Sequence, residues 1–497
     1  MEILSFILYF VAVLAIGVIF FIKSKNSSEK EYFLGGRQMG PWVTAMSAQA
    51  SDMSAWLLMG LPGSILAFGL GQAWIGIGLA IGTALNWIFV ARRLRCFSKA
   101  ANDSITLPQY LSNRFASKSP VLQIVSAIIF LVFFTVYVAS AFNAGATVFT
   151  QLFENLEFST AMIIFALIII AYTFLGGYKA VCWTDFFLGL MMLVALLAVP
   201  IAIVTTMDTD PTLLTNTIVG ADGSSYTFTP NPFAAPLPEI LSGLAWGLGY
   251  FGMPHILVRF MSIEKPSMVK KSATVAIIWV VLTLGAAIAI AYFARMLPLG
   301  EMLLENSNQK LVFIELARKI FPAFIAGLLL AAIIAASMST ADSQLLVASS
   351  SFTSDIYKPV LRKNASNKEI LWVGRIVVLI IAVIAYFIAS SKAEGAQAIM
   401  EMVENAWAGF GSSFGPVVLL SLYWKRLTYK GAVAGVIVGA VVDVLWYIYL
   451  SASTGIYEII PGFICGLIAS VVVSLLDKAP SDEINVIFET AVSKDFE

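Results

Sequence analysis

Histidine is almost missing from this chain: His255 is the single imidazole in 497 residues. Cysteine is scarce too. Cys96, Cys182 and Cys465 stand far apart, without the paired spacing of a zinc site or the density of a disulfide framework. Both shortages speak against a metal enzyme. Net charge is absent, with 30 basic and 30 acidic residues, which removes the electrostatic case for a nucleic-acid partner. Charged residues are 12% of the chain, against about 25% in an average soluble domain. What fills the space is apolar: 59% hydrophobic residues and a mean hydropathy of +0.88. An excess on that scale is not one anchor but most of the protein. It implies an all-α polytopic membrane protein, because lipid leaves a backbone no hydrogen-bond partner outside its own helix.

A hydrocarbon core about 30 Å thick needs roughly 20 apolar residues per helix. Thirteen candidate spans meet that need, near 3–22, 42–69, 72–91, 121–152, 159–178, 186–206, 237–257, 272–294, 320–341, 370–390, 396–424, 431–451 and 456–476. The first has no basic leader and no small-residue cleavage site, so it reads as a retained span. The rest is short: a basic loop around 92–120, outer loops 207–236 and 295–319, and a tail over 477–497. The expected organisation is one transmembrane domain over 1–476, without an appended soluble domain. That weighs against a receptor enzyme or a nutrient sensor with an output module.

Lysine and arginine choose the orientation. With thirteen spans, 24 of the 30 basic residues fall on one side, from Lys23, Lys25 and Arg37 through Arg92, Arg259 and Lys363 to Lys494. The opposite side holds Arg295, Lys310, Arg318, Lys319 and Lys392, and Arg375 lies within a span. The reading is a plasma-membrane protein, bacterial inner membrane by type, with its N-terminus outside and its C-terminus cytoplasmic.

Two spans are interrupted. The second carries SAQASDMSAWLLMGLPG (47–63), with an aspartate, serines, glycines and a proline where a plain span would be apolar. An aspartate at mid-membrane costs roughly 2.5–3.5 kcal/mol on insertion scales, so Asp52 either serves a ligand or caps a kink. The seventh carries SGLAWGLGYFGMPHIL (242–257), in which Trp246, Tyr250 and Pro254 recur every four residues on one helix face. Its glycines read equally as a close-packing face. Two broken spans five apart match an inverted repeat of five-helix units, spans 2–6 (about 42–206) and 7–11 (about 237–424), with spans 1, 12 and 13 flanking. Such transporters bind substrate and ions where the broken helices meet. A third cluster, Ala336, Ser339 and Thr340, has i, i+3, i+4 spacing and offers oxygen ligands of the kind hard cations take, or an ordinary helix contact.

Several long motifs occur in order: YFLGGR (32–37), SDMSAWLLMGLPG (51–63), GGYKAVCWTD (176–185), WGLGYFGMPHILVRFM (246–261), MSTADSQLL (338–346), AWAGFGSSFGPVVL (406–419) and WKRLTYKGAVAGVIVG (424–439). On these the chain resembles the sodium/solute symporter family, and within it the branch that carries proline. The resemblance implies a LeuT-like core and sodium-coupled uptake of L-proline by alternating access, with the sodium ion as coupling ion, no other cofactor, no enzyme activity and no obligate protein partner. It also implies site residues. Backbone carbonyls of Ala50, Met53 and Ala336 and hydroxyls of Ser339 and Thr340 would hold sodium. Asp52 would be the charge that favours it, with unwinding near Ser51–Asp52. Ser54, Tyr137, Trp246, Tyr250 and Pro254 would line the proline pocket.

Ala55 departs from the family pattern, where a glycine is expected after the serine. Asp342 is also unexpected in the proline branch. With Asp185 and Ser343 it forms either a second cation or proton site or part of a cytoplasmic water path. Asp443, deep in the twelfth span, has no role in this scheme. The rivals are a sodium symporter for another amino acid or small carboxylate and, from another class, a passive channel.

Overall fold

The computed structural model describes residues 1–23, 28–153, 155–391 and 396–493. Lys25, Lys392 and Lys494, used above for orientation, lie outside the described residues. Nine helices among the described residues are long and apolar enough to cross a membrane: Leu70–Ala100, Val121–Leu152, Gly177–Thr206, Pro266–Arg295, Ala323–Leu361, Asn367–Ser391, Ile399–Tyr423, Tyr429–Thr454 and Ile459–Leu476. The other four expected spans are the helix Glu2–Lys23, the first part of the bent helix Phe158–Thr206, and two segments built of shorter pieces. Two of these are the interrupted spans, where neither half reaches full length.

The first broken helix runs Pro41–Asp52 and resumes at Gly60–Phe68. Pro41 opens it at a position where no backbone donor is needed. Between the halves, Met53 (φ −84°, ψ 81°) leaves the helical region, Ser54 (φ −70°, ψ −170°) is extended, and Ala55–Leu57 makes one 3₁₀ turn. The break therefore falls at Met53–Ser54, one to two residues later than expected, and Asp52 is the last helical residue. The second broken helix runs Leu237–Ala245, then a 3₁₀ stretch Trp246–Phe251, then Pro254–Ser262. This corrects the expected single face of Trp246, Tyr250 and Pro254. In a 3₁₀ turn the residues that eclipse are three apart, not four, and Pro254 starts a new helix after the extended Met253.

The expected span near 320–341 belongs to a longer helix, Ala323–Ser351, that continues onward to Leu361. The stretch beyond the expected span, Asp342 to Ser351, lies inside the protein, where all of it is buried. A sharp bend separates Phe158–Thr173 from Gly177–Thr206. Gly177 makes it at φ +69°, and a Cβ there would meet the Tyr32 ring at 3.0 Å. Both the backbone and the space demand glycine.

The glycines of the second broken helix do serve close packing. A Cβ on Gly78 would lie 2.4 Å from the Gly243 carbonyl, and one on Gly82 2.4 Å from the Gly247 Cα. Backbone thus approaches backbone along Leu70–Ala100. Outside the helices, Thr217–Val219 and Ser225–Thr227 pair as a small antiparallel hairpin. Just beyond it, the Thr229 carbonyl accepts the Leu70 N–H at 2.8 Å, closing over the Phe68 end of the first broken helix. Asp443 gains a place: it accepts the Ser412 hydroxyl at 2.9 Å and ties the flanking helix Tyr429–Trp446 to the core helix Ala396–Tyr423.

Candidate functional site

The two breaks meet. Asp52, 1% exposed, accepts the Tyr250 hydroxyl at 2.5 Å, and among the described residues no lysine or arginine pairs with it. Helix unwinding at Met53 also removes intrahelical donors from the carbonyls just before the break. Side chains from elsewhere take two of these carbonyls. Ser339 Oγ donates to the Ala50 carbonyl at 2.7 Å, and His255 Nε2 lies 3.1 Å from the Ser51 carbonyl. Ser339 also reaches the Ala336 carbonyl at 3.2 Å. So three of the five expected sodium ligands, Ala50, Ala336 and Ser339, converge within hydrogen-bond distance. Thr340 Oγ1, fully buried on the same face, has no hydrogen-bond partner. A sealed hydroxyl with an unused oxygen fits a cation that is not part of the protein. Met53 is buried at the break.

The expected substrate residues are brought together less evenly. Tyr137 is fully buried; its hydroxyl faces Asp52 and Ser54 yet makes no hydrogen bond of good geometry. Trp246 lies 6.1 Å from Trp56, ring to ring, across the two breaks. Tyr250 is committed to Asp52. Pro254 opens the helix Pro254–Ser262 beyond the break. Ala55 heads the 3₁₀ turn after the first break, 1% exposed. A cavity of about 270 Å³ lies between the Gly60–Phe68 half of one broken helix and the Leu237–Ala245 half of the other, with Ser64, Gln72, Glu239, Trp246, Met400 and Glu404 among its walls.

Sequence reasoning missed three residues here. His255, noticed as a rarity, holds a carbonyl of the break. Trp407 donates its indole N–H to the Trp246 carbonyl at 2.7 Å. Arg259 lies one turn beyond His255 and organises the second acidic cluster. It bonds Asp185 Oδ2 at 3.2 Å and Ser343 Oγ at 2.5 Å, while Ser47 donates to the same Asp185 oxygen at 2.7 Å. Ser343 then reaches Asp342 Oδ1 at 3.3 Å. Asp185 Oδ1 and Asp342 Oδ2 are buried without partners. One guanidinium pairs with Asp185 and is joined to Asp342 through Ser343, all of them buried. Asp342 is 0% exposed. The signal for Arg259 was available: a basic residue so close to the Pro254 break is costly unless paired.

Comparison with known proteins follows the same lines. The profile described as Sodium:solute symporter family matches residues 32–439. The chain belongs to this family. It is a transporter, not an enzyme. It is 45% identical over 500 residues to the sodium/proline symporter of Haemophilus influenzae, covering 99% of this chain and 97% of that one. Against the sodium/proline symporter of Escherichia coli the identity is 43%, covering 96% and 93%. In three dimensions the symporter matches a Na⁺-coupled sialic acid symporter solved in a substrate-bound outward-open state. The TM-score is 0.73 at 20% identity, covering 97% of this chain and 98% of the other. That likeness shows the fold, LeuT-like with its paired broken helices.

Proposed function

We propose that the symporter couples sodium entry to uptake of L-proline by alternating access. The observation that carries the reading is the Asp52–Tyr250 bond between the two breaks, beside the convergent oxygens of Ala50, Ala336 and Ser339 and the unused oxygen of Thr340. A buried carboxylate without a cationic partner is expensive, and a sodium ion held one or two residues away offsets that cost. The same ion takes the carbonyls that the break leaves free, Met53 included. Sodium binding thereby sets the break, and the break positions Ser54 and, through Asp52, Tyr250. That is a physical route from ion to substrate. The names of relatives at 45% and 43% identity support proline as that substrate.

In this reading Ser54 and Tyr137 meet the polar end of the zwitterion, while Trp246, Tyr250 and Pro254 wall its ring. The outer cavity beside Trp246 is the approach. Each sodium ion carries one charge, and 100 mV contributes about 2.3 kcal/mol per charge, roughly fifty-fold accumulation. The scheme has thirteen spans, with repeats at about 42–206 and 237–424, the N-terminus outside and the C-terminus cytoplasmic. The Asp185–Arg259–Asp342 cluster, with Ser343, serves a second cation or a proton. One guanidinium, paired with Asp185 and joined to Asp342 only through Ser343, leaves room for one more positive charge.

The test is labelled proline uptake into proteoliposomes, with and without an inward sodium gradient, for wild type and Asp52→Asn. Sodium-driven accumulation that collapses in the variant supports the reading. Downhill equilibration without accumulation would establish the channel instead, and no proline uptake by folded wild type would transfer the search to other small carboxylates.

A further inference from the structure

Trp407 belongs to neither broken helix. It projects from the core helix Ala396–Tyr423, is 2% exposed, and touches the 3₁₀ stretch of the second broken helix at three positions. Its indole N–H donates to the Trp246 carbonyl at 2.7 Å. Its ring meets the Tyr250 ring edge-on, with centroids 5.0 Å apart at 86°, and stacks with the Trp246 ring at 6.4 Å and 28°. Between these contacts Gly249 lies flush against the indole, where a Cβ would come within 1.9 Å of Nε1. A second brace comes from Tyr457. Its ring lies 5.4 Å from Trp246, and its hydroxyl bonds the Glu404 carbonyl, one turn before Trp407 on the same helix.

A 3₁₀ stretch of six residues is long for its kind, because its hydrogen bonds are strained and its side chains eclipse. Such a stretch needs support from outside. Here the support is a rigid ring with one donor, fixed at its polar edge by a backbone carbonyl and on its flat side by a tyrosine. The Tyr250 hydroxyl reaches Asp52 only if its ring stays where Trp407 holds it.

We propose that Trp407 is a positioning residue for the substrate: it braces the Trp246–Phe251 turn, so that Tyr250 meets Asp52 and Trp246 keeps its ring against the pocket. The inference rests on the proline-pocket reading. It adds that the spacing between ring wall and carboxylate is set by a helix outside the broken pair. Loosening the brace weakens capture of the substrate and narrows the preference for a five-membered imino acid over open-chain amino acids.

Two variants attack the brace from opposite sides. Trp407→Phe keeps an aromatic ring and deletes the donor, while Gly249→Ala keeps the indole and crowds it. Each is expected to raise the half-saturating proline concentration about tenfold, with Vmax within about twofold at equal amounts of reconstituted protein. Combined with Tyr250→Phe, Trp407→Phe adds little further, because both act through one hydroxyl. Half-saturation unchanged in both variants overturns the inference. So does a Vmax loss at unchanged half-saturation with less folded protein, which is the signature of mere packing. Sodium-driven proline accumulation by wild type in the same vesicles tests the underlying reading separately. If the wild type carries another solute, the proline reading fails and the same two ratios, measured with that solute, decide the role of Trp407.

Discussion

The hydroxyl of Tyr250 donates to Oδ2 of Asp52 at 2.5 Å, and in doing so joins the 3₁₀ turn of one broken helix to the break of the other. The two residues are 198 positions apart in the chain. A bond to a buried charged group contributes about 1.5–3 kcal/mol. Tyr250→Phe should therefore raise the half-saturating sodium and proline concentrations together, by about tenfold or more. Uptake measured across a sodium series at fixed proline, and the reverse, checks it. A change in proline alone would separate the aromatic wall from the ion.

Thr340 offers a cleaner separation of ion from fold. Its Oγ1 has no protein partner, so Thr340→Val removes an oxygen without breaking a bond. Without sodium, the melting temperature in detergent should stay close to that of wild type. Ligand stabilisation grows as RT ln(1 + [L]/Kd), so the rise on adding sodium should shrink or vanish. A full sodium-dependent rise in the variant would remove Thr340 from the ion site.

Arg259 and Asp185 form an ion pair with both side chains buried. Removing one member of such a pair strands the other and costs about 3–5 kcal/mol. Arg259→Gln should reduce the yield of folded protein sharply, and Arg259→Gln with Asp185→Asn should recover part of it. Yields by fluorescence-detected gel filtration make the comparison. Equal loss in the single and double variants would mean that shape, not charge, is what Arg259 supplies.

Gly177 tests the bend. Its φ of +69° disfavours any side chain by about 1–2 kcal/mol. A methyl would also press on the Tyr32 ring. Gly177→Ala should lower thermal stability in detergent by several degrees, and Tyr32→Leu in the same chain should recover only the steric part.

On the basic side of the protein, Asp103 pairs with Lys30 and with Arg37, whose Nε lies 2.8 Å away. Burial alone would raise this carboxyl, but the bonds and charges of Lys30 and Arg37 outweigh it and hold it below the ordinary carboxylate range. A depressed carboxyl stabilises the fold above its unfolded value, near pH 4, and loses that contribution as pH falls through the folded one. Wild type should melt above Asp103→Asn near neutral pH, and the two curves should converge toward about pH 3. The difference is modest because Asp103 is 45% exposed.

Much of this was legible in the chain itself. Composition alone excluded a soluble fold, and the out-of-place residues Asp52, Pro62, Gly247 and Pro254 marked both interrupted helices. They are visible because lipid tolerates so few exceptions that each one is a signal. The i, i+3, i+4 spacing of Ala336, Ser339 and Thr340 survived because that stretch is an uninterrupted helix. The spacing of Trp246, Tyr250 and Pro254 did not, because a 3₁₀ turn and a break replaced the helix that the period assumed. The Ala323–Leu361 helix runs past the apolar span near 320–341 because tertiary packing buries the serines and Asp342 that follow it.

What sequence by itself determined is what local chemistry decides: the apolar lengths, the breaks, and the oxygens and carboxylates placed near them. Tertiary structure decided which of these meet. That Tyr250 binds Asp52, that His255 takes the Ser51 carbonyl, that Arg259 lies between Asp185 and Ser343, and that Trp407 holds Trp246 all depend on contacts 74 to 204 residues apart. No local period encodes such distances. They are set by how helices pack once their apolar faces and glycine seams have found each other, and a buried charge is stable only where that packing delivers its partner.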